Sequence, residues 1–133
     1  MKKLSLWQKR VLVLNVIYDD IITNHVSDKN TVLRDIFSNE DFDSEQMKII
    51  EHYFNHYQEV DELVIKLLKP TWTYQRINPL TKAIIQCAYH EFQTKEIAKA
   101  IVIDQALITC SRRGITRDKK FINAILDKIL IKK

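Results

Sequence analysis

Apolar residues recur every three or four positions along most of this chain, a spacing typical of amphipathic α-helices. The first such run spans residues 4–24, and a shorter run follows it before an acidic loop. A long run then covers residues 43–69. Asp43 and Gln46 predict a capping box at its start. Pro70 predicts its end, because proline cannot continue a helix. The first half of the chain therefore predicts three helices.

The second half predicts three more helices, each with a start or stop signal. Asn78 can cap the first, and Pro79 suits its first position, where no backbone N–H is needed. The second covers residues 98–112 and ends at Gly114, the only glycine in the chain, which suits a left-handed C-cap. Thr116 is the predicted cap of the last helix.

The composition supports the same fold class. One glycine and two prolines among 133 residues are too few for the turns that sheets and hairpins require. We therefore expect an all-α bundle of about six or seven helices, folded as a single domain over residues 1–133. No apolar run reaches the roughly 20 residues of a membrane span, and no signal-peptide pattern follows Met1. We expect a cytoplasmic protein with no membrane partner, in which Cys87 and Cys110 are small core residues.

The charge is distributed unevenly along the chain. Residues 1–66 carry 8 basic and 12 acidic side chains, whereas residues 67–133 carry 13 basic and 5 acidic ones. Basic residues concentrate at the N-terminus, within residues 2–10, and again in residues 112–120. This pattern favours a surface that binds a polyanion on one side of the molecule. A solvated C-terminal helix with a lysine tail is the alternative.

The chain carries no pattern typical of an enzyme. It has no glycine-rich phosphate loop, no nucleophile elbow and no cluster with metal-ligand spacing. His52 and His56 stand four positions apart, but no third ligand is near them, so we expect a solvated pair and no metal. We therefore expect no catalytic residues and no cofactor.

Aromatic residues lie next to cations at two points. Trp72, Tyr74 and Arg76 follow the long helix, and Phe121 follows Lys120. An exposed aromatic ring beside a cation suits stacking on RNA bases, whereas a ring that covers the core is the structural alternative. For Trp72 we favour the core, with Arg76 bonded to helix-end carbonyls. For Phe121 the two alternatives stay equal.

Four segments in the second half of the chain carry a family resemblance. In chain order they are Trp72-x-x-x-Arg76, IIQCAYHEF at residues 84–92, VIDQAL at residues 102–107 and KFINAILD at residues 120–127. Their order and spacing resemble the NusB family of bacterial transcription antitermination factors. The departures from the family pattern are Gln86 for arginine, His90 for tyrosine, Asp104-Gln105 for Asn-Glu and Ala124 for glycine. The chain is therefore identified as a divergent member of that family.

The resemblance implies an all-α RNA-binding protein without catalytic activity. Members of the family bind the single-stranded boxA element of rRNA leaders together with a small-subunit ribosomal protein, and the complex joins the RNA polymerase elongation complex. The family carries arginines at the start of its first helix, where this chain has Leu6, Trp7 and Gln8. A helical protein-interaction module that has lost specific RNA binding is therefore the alternative function.

The two basic segments match the chain regions through which the family contacts RNA. We expect them to converge into one patch with Phe121 at its edge. No local acidic group offsets the cations at the start of the first helix, and the N–H groups at a helix start favour phosphate. The predicted RNA-binding residues are Lys2, Lys3, Lys9, Arg10, Arg117, Lys119, Lys120 and Phe121.

The central helix of the second half, residues 80–92, is the expected docking region for the ribosomal protein, because the resemblance implies that this region faces the partner. Its apolar stripe is expected to face the core. The residues predicted to point outward and contact the partner are Gln86, His90 and Gln93.

Overall fold

The computed structural model describes residues 3–133, so the predicted RNA-binding residue Lys2 lies outside the described residues. Within them the chain forms six α-helices. They are α1 (Leu6–Ile22), α2 (Lys29–Phe37), α3 (Ser44–Leu67), α4 (Pro79–Thr94), α5 (Lys99–Arg112) and α6 (Lys119–Ile129). Single 3-10 turns at Tyr74–Arg76 and Thr116–Asp118 precede α4 and α6. Residues 3–133 contain no strand, so the predicted all-α class is confirmed and the helix number agrees. No helix in this described range is both long enough and apolar enough to span a membrane.

Local capping signals determine where several helices begin and end. The Asp43 side chain accepts from the N–H of Gln46, and the Gln46 side chain accepts from the N–H of Asp43, so the predicted capping box of α3 is confirmed. Asn78 accepts from the N–H of Leu80 at the start of α4, as predicted. Gly114 follows α5 with φ +78, the left-handed conformation expected for it.

The start of α6 differs from the prediction. Thr116 does not cap this helix, because the 3-10 turn Thr116–Asp118 intervenes and moves the helix start to Lys119. Asp118 occupies the N-cap position, but its carboxylate accepts from the Thr81 hydroxyl of α4 at 2.5 Å. The side chain that could have capped α6 therefore ties α6 to α4 instead.

Helix α4 is the centre of the bundle and packs against α1, α3, α5 and α6. Its buried apolar side chains are Ala83, Ile84, Ile85, Ala88, Tyr89 and Phe92. Full burial of one large apolar side chain contributes about 1.5–3 kcal/mol, so this helix supplies a large part of the core. The same helix also buries four polar side chains, which are Thr81, Gln86, His90 and Glu91.

The prediction that Gln86 and His90 point outward is wrong. They are 2% and 0% exposed, because Asp61 of α3 interrupts the apolar stripe of that helix and needs polar partners inside the bundle. Gln86 Nε2 donates to the Asp61 carboxylate at 2.9 Å and to the Tyr57 carbonyl at 3.1 Å. The Tyr74 hydroxyl also donates to Asp61.

The amide of Gln86 determines the proton positions on two histidines. Both of its N–H groups have acceptors, so its oxygen must accept from His90 Nε2, at 2.8 Å. The other ring nitrogen of His90 then accepts from His52 Nδ1, at 2.7 Å. The prediction that His52 and His56 form a solvated pair is therefore wrong for His52. This residue links α3 to α4.

The two linked histidines are held neutral by their surroundings. Burial and the neighbouring His56 lower the pKa of His52. Burial together with His52 and His56 lowers the pKa of His90 well below its ordinary value. A proton added to His90 at Nδ1 would set two N–H donors against each other, so protonation of His90 breaks the contact.

Folding stability is expected to fall as the pH drops below the ordinary histidine pKa of about 6.5. Unfolded His52 and His90 take up protons there, whereas the folded pair does so only at its lower pKa values. Stabilisation that is fully present above that pH is therefore lost progressively below it, with a slope of about 1.4 kcal/mol per pH unit for each proton. Burial raises the pKa of Asp61. The folded state therefore gains stability from this carboxyl group as the pH falls, which opposes the effect of the histidines. Urea unfolding at pH values from about one unit above to about one unit below the ordinary histidine pKa measures the slope of the unfolding free energy against pH.

The control for this prediction is His90→Gln, which removes one titrating group. Its absolute stability will differ, so the slope against pH is the quantity compared. We expect a flatter slope in the variant, and a slope equal to that of the original chain would contradict the assignment.

Candidate nucleic-acid interface

An aromatic pair lies on the surface where the start of α6 meets the segment before α4. The rings of Trp72 and Phe121 stack with centroids 5.6 Å apart and planes 18° from parallel. Trp72 is 52% exposed, so the prediction that it covers the core is wrong. Phe121 is half-buried and packs against the core, so it supports Trp72 from below. We call Trp72 and Phe121 the aromatic platform.

The chain between α3 and α4 positions the platform. The Trp72 N–H donates to the Lys69 carbonyl at 2.9 Å, which turns the chain directly after α3. Tyr74 is anchored through its hydroxyl on Asp61, and Lys82 covers its ring with the ammonium 4.2 Å from the centroid. These contacts hold both ends of the loop and leave the Trp72 ring on its outside. A hollow beside the ring is lined by Thr71, Trp72, Thr73, Arg76 and Ile77.

Four cations accompany the platform in the sequence. Arg76 ends the 3-10 turn that follows Trp72. The other three, Arg117, Lys119 and Lys120, lie just before Phe121. Among residues 3–133 none of these four makes an ion pair or a side-chain hydrogen bond. The predicted bond of Arg76 to helix-end carbonyls is therefore not formed. Their charges are available to an anionic ligand.

The cations at the start of α1 are in a different state. Lys9 Nζ lies 2.8 Å from the Asp43 carboxylate, and this bond raises the pKa of Lys9. Arg10 Nε donates to both Glu91 oxygens at 3.1 and 3.0 Å. No acidic residue lies in the first turn of α1, as expected, but Lys9 and Arg10 are each offset by a carboxylate from another part of the chain. Lys3 is exposed.

The two basic segments meet where Arg112 lies over the Trp7 ring, but Arg10 and Lys119 are held near opposite ends of α4. Arg10 bonds to Glu91 near the end of α4, whereas Asp118, next to Lys119, bonds to Thr81 near the start of α4. Ten residues of helix separate those two anchor points, which corresponds to about 15 Å. Arg10 and Lys119, which were predicted to share one patch, therefore lie at distinct sites.

The three predicted partner-binding residues also separate. Gln86 and His90 are buried, as described above, and only Gln93 is partly exposed. Gln93 Nε2 donates to the Ile131 carbonyl at 2.7 Å, and its oxygen accepts from the Lys133 N–H at 3.2 Å. Gln93 thus holds the C-terminal tail on the side of α4, next to the 64% exposed Ile131.

The described part of the chain contains potential metal ligands and two cysteine thiols. No group of three or more His, Cys, Asp or Glu side chains there could hold a metal ion. Cys87 and Cys110 are both free thiols. Cys110 is fully buried, as predicted, whereas Cys87 is partly exposed.

Sequence reasoning considered an exposed stacking position for Trp72 but favoured the core, and it did not identify Phe121 as the stacking partner. The available signal was Arg76 four positions later, a polar neighbour with no acidic partner nearby in the sequence. The stacking partner could not be found in this way, because Phe121 lies far away along the chain.

Comparison with known proteins gives consistent results. The model of the NusB family matches residues 8–130. The transcription antitermination protein NusB of Borrelia garinii subspecies bavariensis is 31% identical, with 91% of this chain and 90% of that protein covered. The protein of the same name from Borreliella afzelii is 30% identical, with 91% and 93% covered. The structure of T. maritima NusB superposes with a TM-score of 0.78 at 22% identity, covering 97% of this chain and 92% of that one.

Replacement of Arg10 tests whether this residue serves the fold. Arg10→Gln leaves the Glu91 carboxylate, whose side chain is 4% exposed, with only Lys95 at 3.3 Å as a counter-ion. We expect a loss of about 3 kcal/mol in unfolding free energy, the lower end for breaking a buried pair, because Lys95 remains. Lys9→Gln is the matched control and should leave stability nearly unchanged, since its pair with Asp43 is far more accessible to water than Arg10–Glu91. Equal stability of the two variants in urea unfolding would contradict this role.

Proposed function

Since the chain belongs to the NusB family, we propose that it acts in transcription antitermination by binding boxA-like single-stranded RNA of an rRNA leader. In this proposal it binds the RNA together with a small-subunit ribosomal protein and joins the RNA polymerase elongation complex. Its role is to bind and to connect, and no catalytic step is assigned to it. The family match over residues 8–130 supports the proposal as a whole.

The observation that carries the RNA-binding part is the exposed aromatic platform. Single-stranded RNA presents unstacked bases, and an aromatic ring with an open face can stack on them. Trp72 offers such a face, and Phe121 holds the ring from behind. An RNA base on Trp72 would continue the existing stack.

The cations that accompany the platform suit the phosphates of the same strand. Arg76 lies on the Trp72 side, and Arg117, Lys119 and Lys120 lie on the Phe121 side. Phosphate contacts supply affinity that does not depend on sequence, whereas contacts to the bases select among sequences. We therefore assign RNA contacts to these residues and to Phe121, with Trp72 added.

Fewer residues at the start of α1 are assigned to RNA binding than the sequence predicted. Lys3 is exposed and is retained as an RNA contact. Lys9 is retained at the surface, where RNA would compete with Asp43 for its ammonium. Arg10 is assigned a structural role, because its guanidinium forms an ion pair with buried Glu91.

The ribosomal protein is proposed to dock beside Gln93. This residue is the partly exposed member of the predicted set, and the adjoining tail presents the apolar side chain of Ile131 and two lysines. Gln86 and His90 support that surface from inside α4 and do not contact the partner.

The alternative function is a helical adaptor that binds protein but not specific RNA. The observation that favours it is the pairing of Lys9 and Arg10 with carboxylates, together with Leu6, Trp7 and Gln8 at the positions of the family's arginines. Salt dependence separates the two functions, because RNA binding through phosphates weakens steeply with salt.

Truncation of the platform is expected to weaken RNA binding. Trp72→Leu removes the stacking face and should cost about 1–3 kcal/mol of binding free energy, the usual cost for loss of one base–aromatic stack. Phe121→Leu should cost less, because that ring is half-buried and acts mainly by supporting Trp72. Fluorescence anisotropy with a labelled single-stranded boxA-like RNA gives the affinities.

Phe37→Leu is the matched control for both changes. Phe37 is 77% exposed and lies at the end of α2, in the acidic half of the chain. Its replacement should leave RNA affinity unchanged. Thermal melts of all variants separate lost contacts from lost folding, and equal RNA affinity of Trp72→Leu and Phe37→Leu would argue for the adaptor function.

The proposed protein partner is tested by pull-down with the ribosomal protein from the same organism. We expect a complex at micromolar concentration, and Gln93→Ala combined with Ile131→Ser should weaken it. The double variant Ile22→Ser with Val26→Ser is the control, because it alters exposed apolar residues elsewhere. Failure of the original chain to form any complex would refute the adaptor role in both candidate functions.

A further inference from the structure

The end of α5 carries two adjacent arginines that are held against α1. The Arg112 guanidinium carbon lies 4.4 Å from the centroid of the Trp7 ring. Arg113 Nη2 donates to the Asn15 amide oxygen at 3.0 Å. Both arginines are exposed, and Trp7 is half-buried. We infer that Trp7 and Arg112, with Arg113 beside them, form a second RNA contact site that takes the phosphodiester backbone of a single strand.

Stacking leaves the hydrogen-bonding capacity of Arg112 unused. A guanidinium has five N–H donors in its plane, and the guanidinium carbon lies over the indole ring, a cation–π contact that does not use these donors in hydrogen bonds. Among the described residues Arg112 has no ion pair and no side-chain hydrogen bond, and Arg113 has only the bond to Asn15. The two groups therefore present donors in a fixed fork that matches phosphate oxygens.

The contact with Trp7 also reduces the entropic cost of binding. A free arginine loses rotamer freedom when it meets a ligand, whereas a guanidinium already placed on a ring loses less. Trp7 stands at one of the positions where the family carries arginine. The start of α1 thus supplies a platform for an arginine from α5 instead of an arginine of its own.

RNA is the polyanion that best fits this position. Residues 112–120 hold five basic side chains and one acidic one, Asp118, whose carboxylate is engaged by Thr81. The segment begins at Arg112 and leads to the aromatic platform at Phe121. A strand stacked on the platform carries a phosphate at each nucleotide, and cations along one segment can follow that backbone.

Helix energetics give a competing explanation. Cations in the last turn of a helix interact favourably with its dipole, so both arginines could serve only to stabilise α5. The salt dependence of RNA affinity distinguishes the two, because a purely structural arginine does not alter it. The inference rests on the proposed RNA binding, so the experiment must separate failure of one from failure of the other.

The experiment measures RNA affinity between about 50 and 200 mM salt for the full chain and its variants. Arg112→Gln should weaken binding severalfold and reduce the salt slope by about one unit. Arg34→Gln is the matched control, an exposed arginine of α2, and should change neither. Trp7→Leu should weaken binding by itself but add little to Arg112→Gln, because the ring acts through Arg112.

Several outcomes would overturn the inference. One is an unchanged salt slope in Arg112→Gln while Trp72→Leu loses affinity, which leaves the proposed function standing. A second is additive loss from Trp7→Leu and Arg112→Gln, which means that the ring does not act through the arginine. Absence of salt-dependent RNA binding by the original chain removes both proposals. A parallel titration with phosphatidylglycerol vesicles tests lipid phosphate, and vesicle binding that depends on Arg112 would refute RNA as the source.

Discussion

The bundle depends on one constraint, which is that the polar groups buried on α4 must have partners. The partners come from the neighbouring helices α1 and α3 and from the start of α6. The contacts that satisfy them are Arg10–Glu91, Gln86–Asp61, His90–His52 and Thr81–Asp118. An apolar contact tolerates sliding, whereas an unpaired buried carboxylate or amide costs several kcal/mol. The four contacts therefore determine the register of α1, α3 and α6 against α4.

This constraint divides the cations of the protein into two groups. Arg10 is engaged by the fold, and its loss would leave a carboxylate buried. Arg76, Arg112 and Lys120 make no ion pair among the described residues and lie at the surface. Net charge alone does not distinguish these groups, because only a cation without a carboxylate partner adds to the attraction of a polyanion. The candidate RNA surface follows from which charges remain after the fold is satisfied.

The same division explains what the sequence could predict. Capping by Asp43 and Asn78 and the turn at Gly114 involve residues within a few positions of each other, so local patterns predicted them correctly. The Arg10–Glu91 pair joins residues 81 positions apart, and a pattern of charges along the chain cannot show which carboxylate meets which cation. The stack of Trp72 on Phe121 and the Thr81–Asp118 bond are of the same kind. Element positions were therefore predictable, whereas the burial of Gln86 and His90 and the separation of Arg10 from Lys119 were not.

The departures from the family pattern on α4 form a coupled set rather than independent changes. An arginine at position 86 would meet the Asp61 carboxylate with a full charge, whereas Gln86 meets it with a neutral amide. Burial then raises the pKa of Asp61, and the Tyr74 hydroxyl supplies a further donor. The amide also offers an oxygen, which an arginine lacks, and His90 is the residue that donates to it. Each replacement thus creates the partner that the other requires, and His52 completes the chain to α3. A return of position 86 alone to arginine would remove the oxygen that accepts from His90 Nε2, so the residues at positions 86 and 90 are coupled.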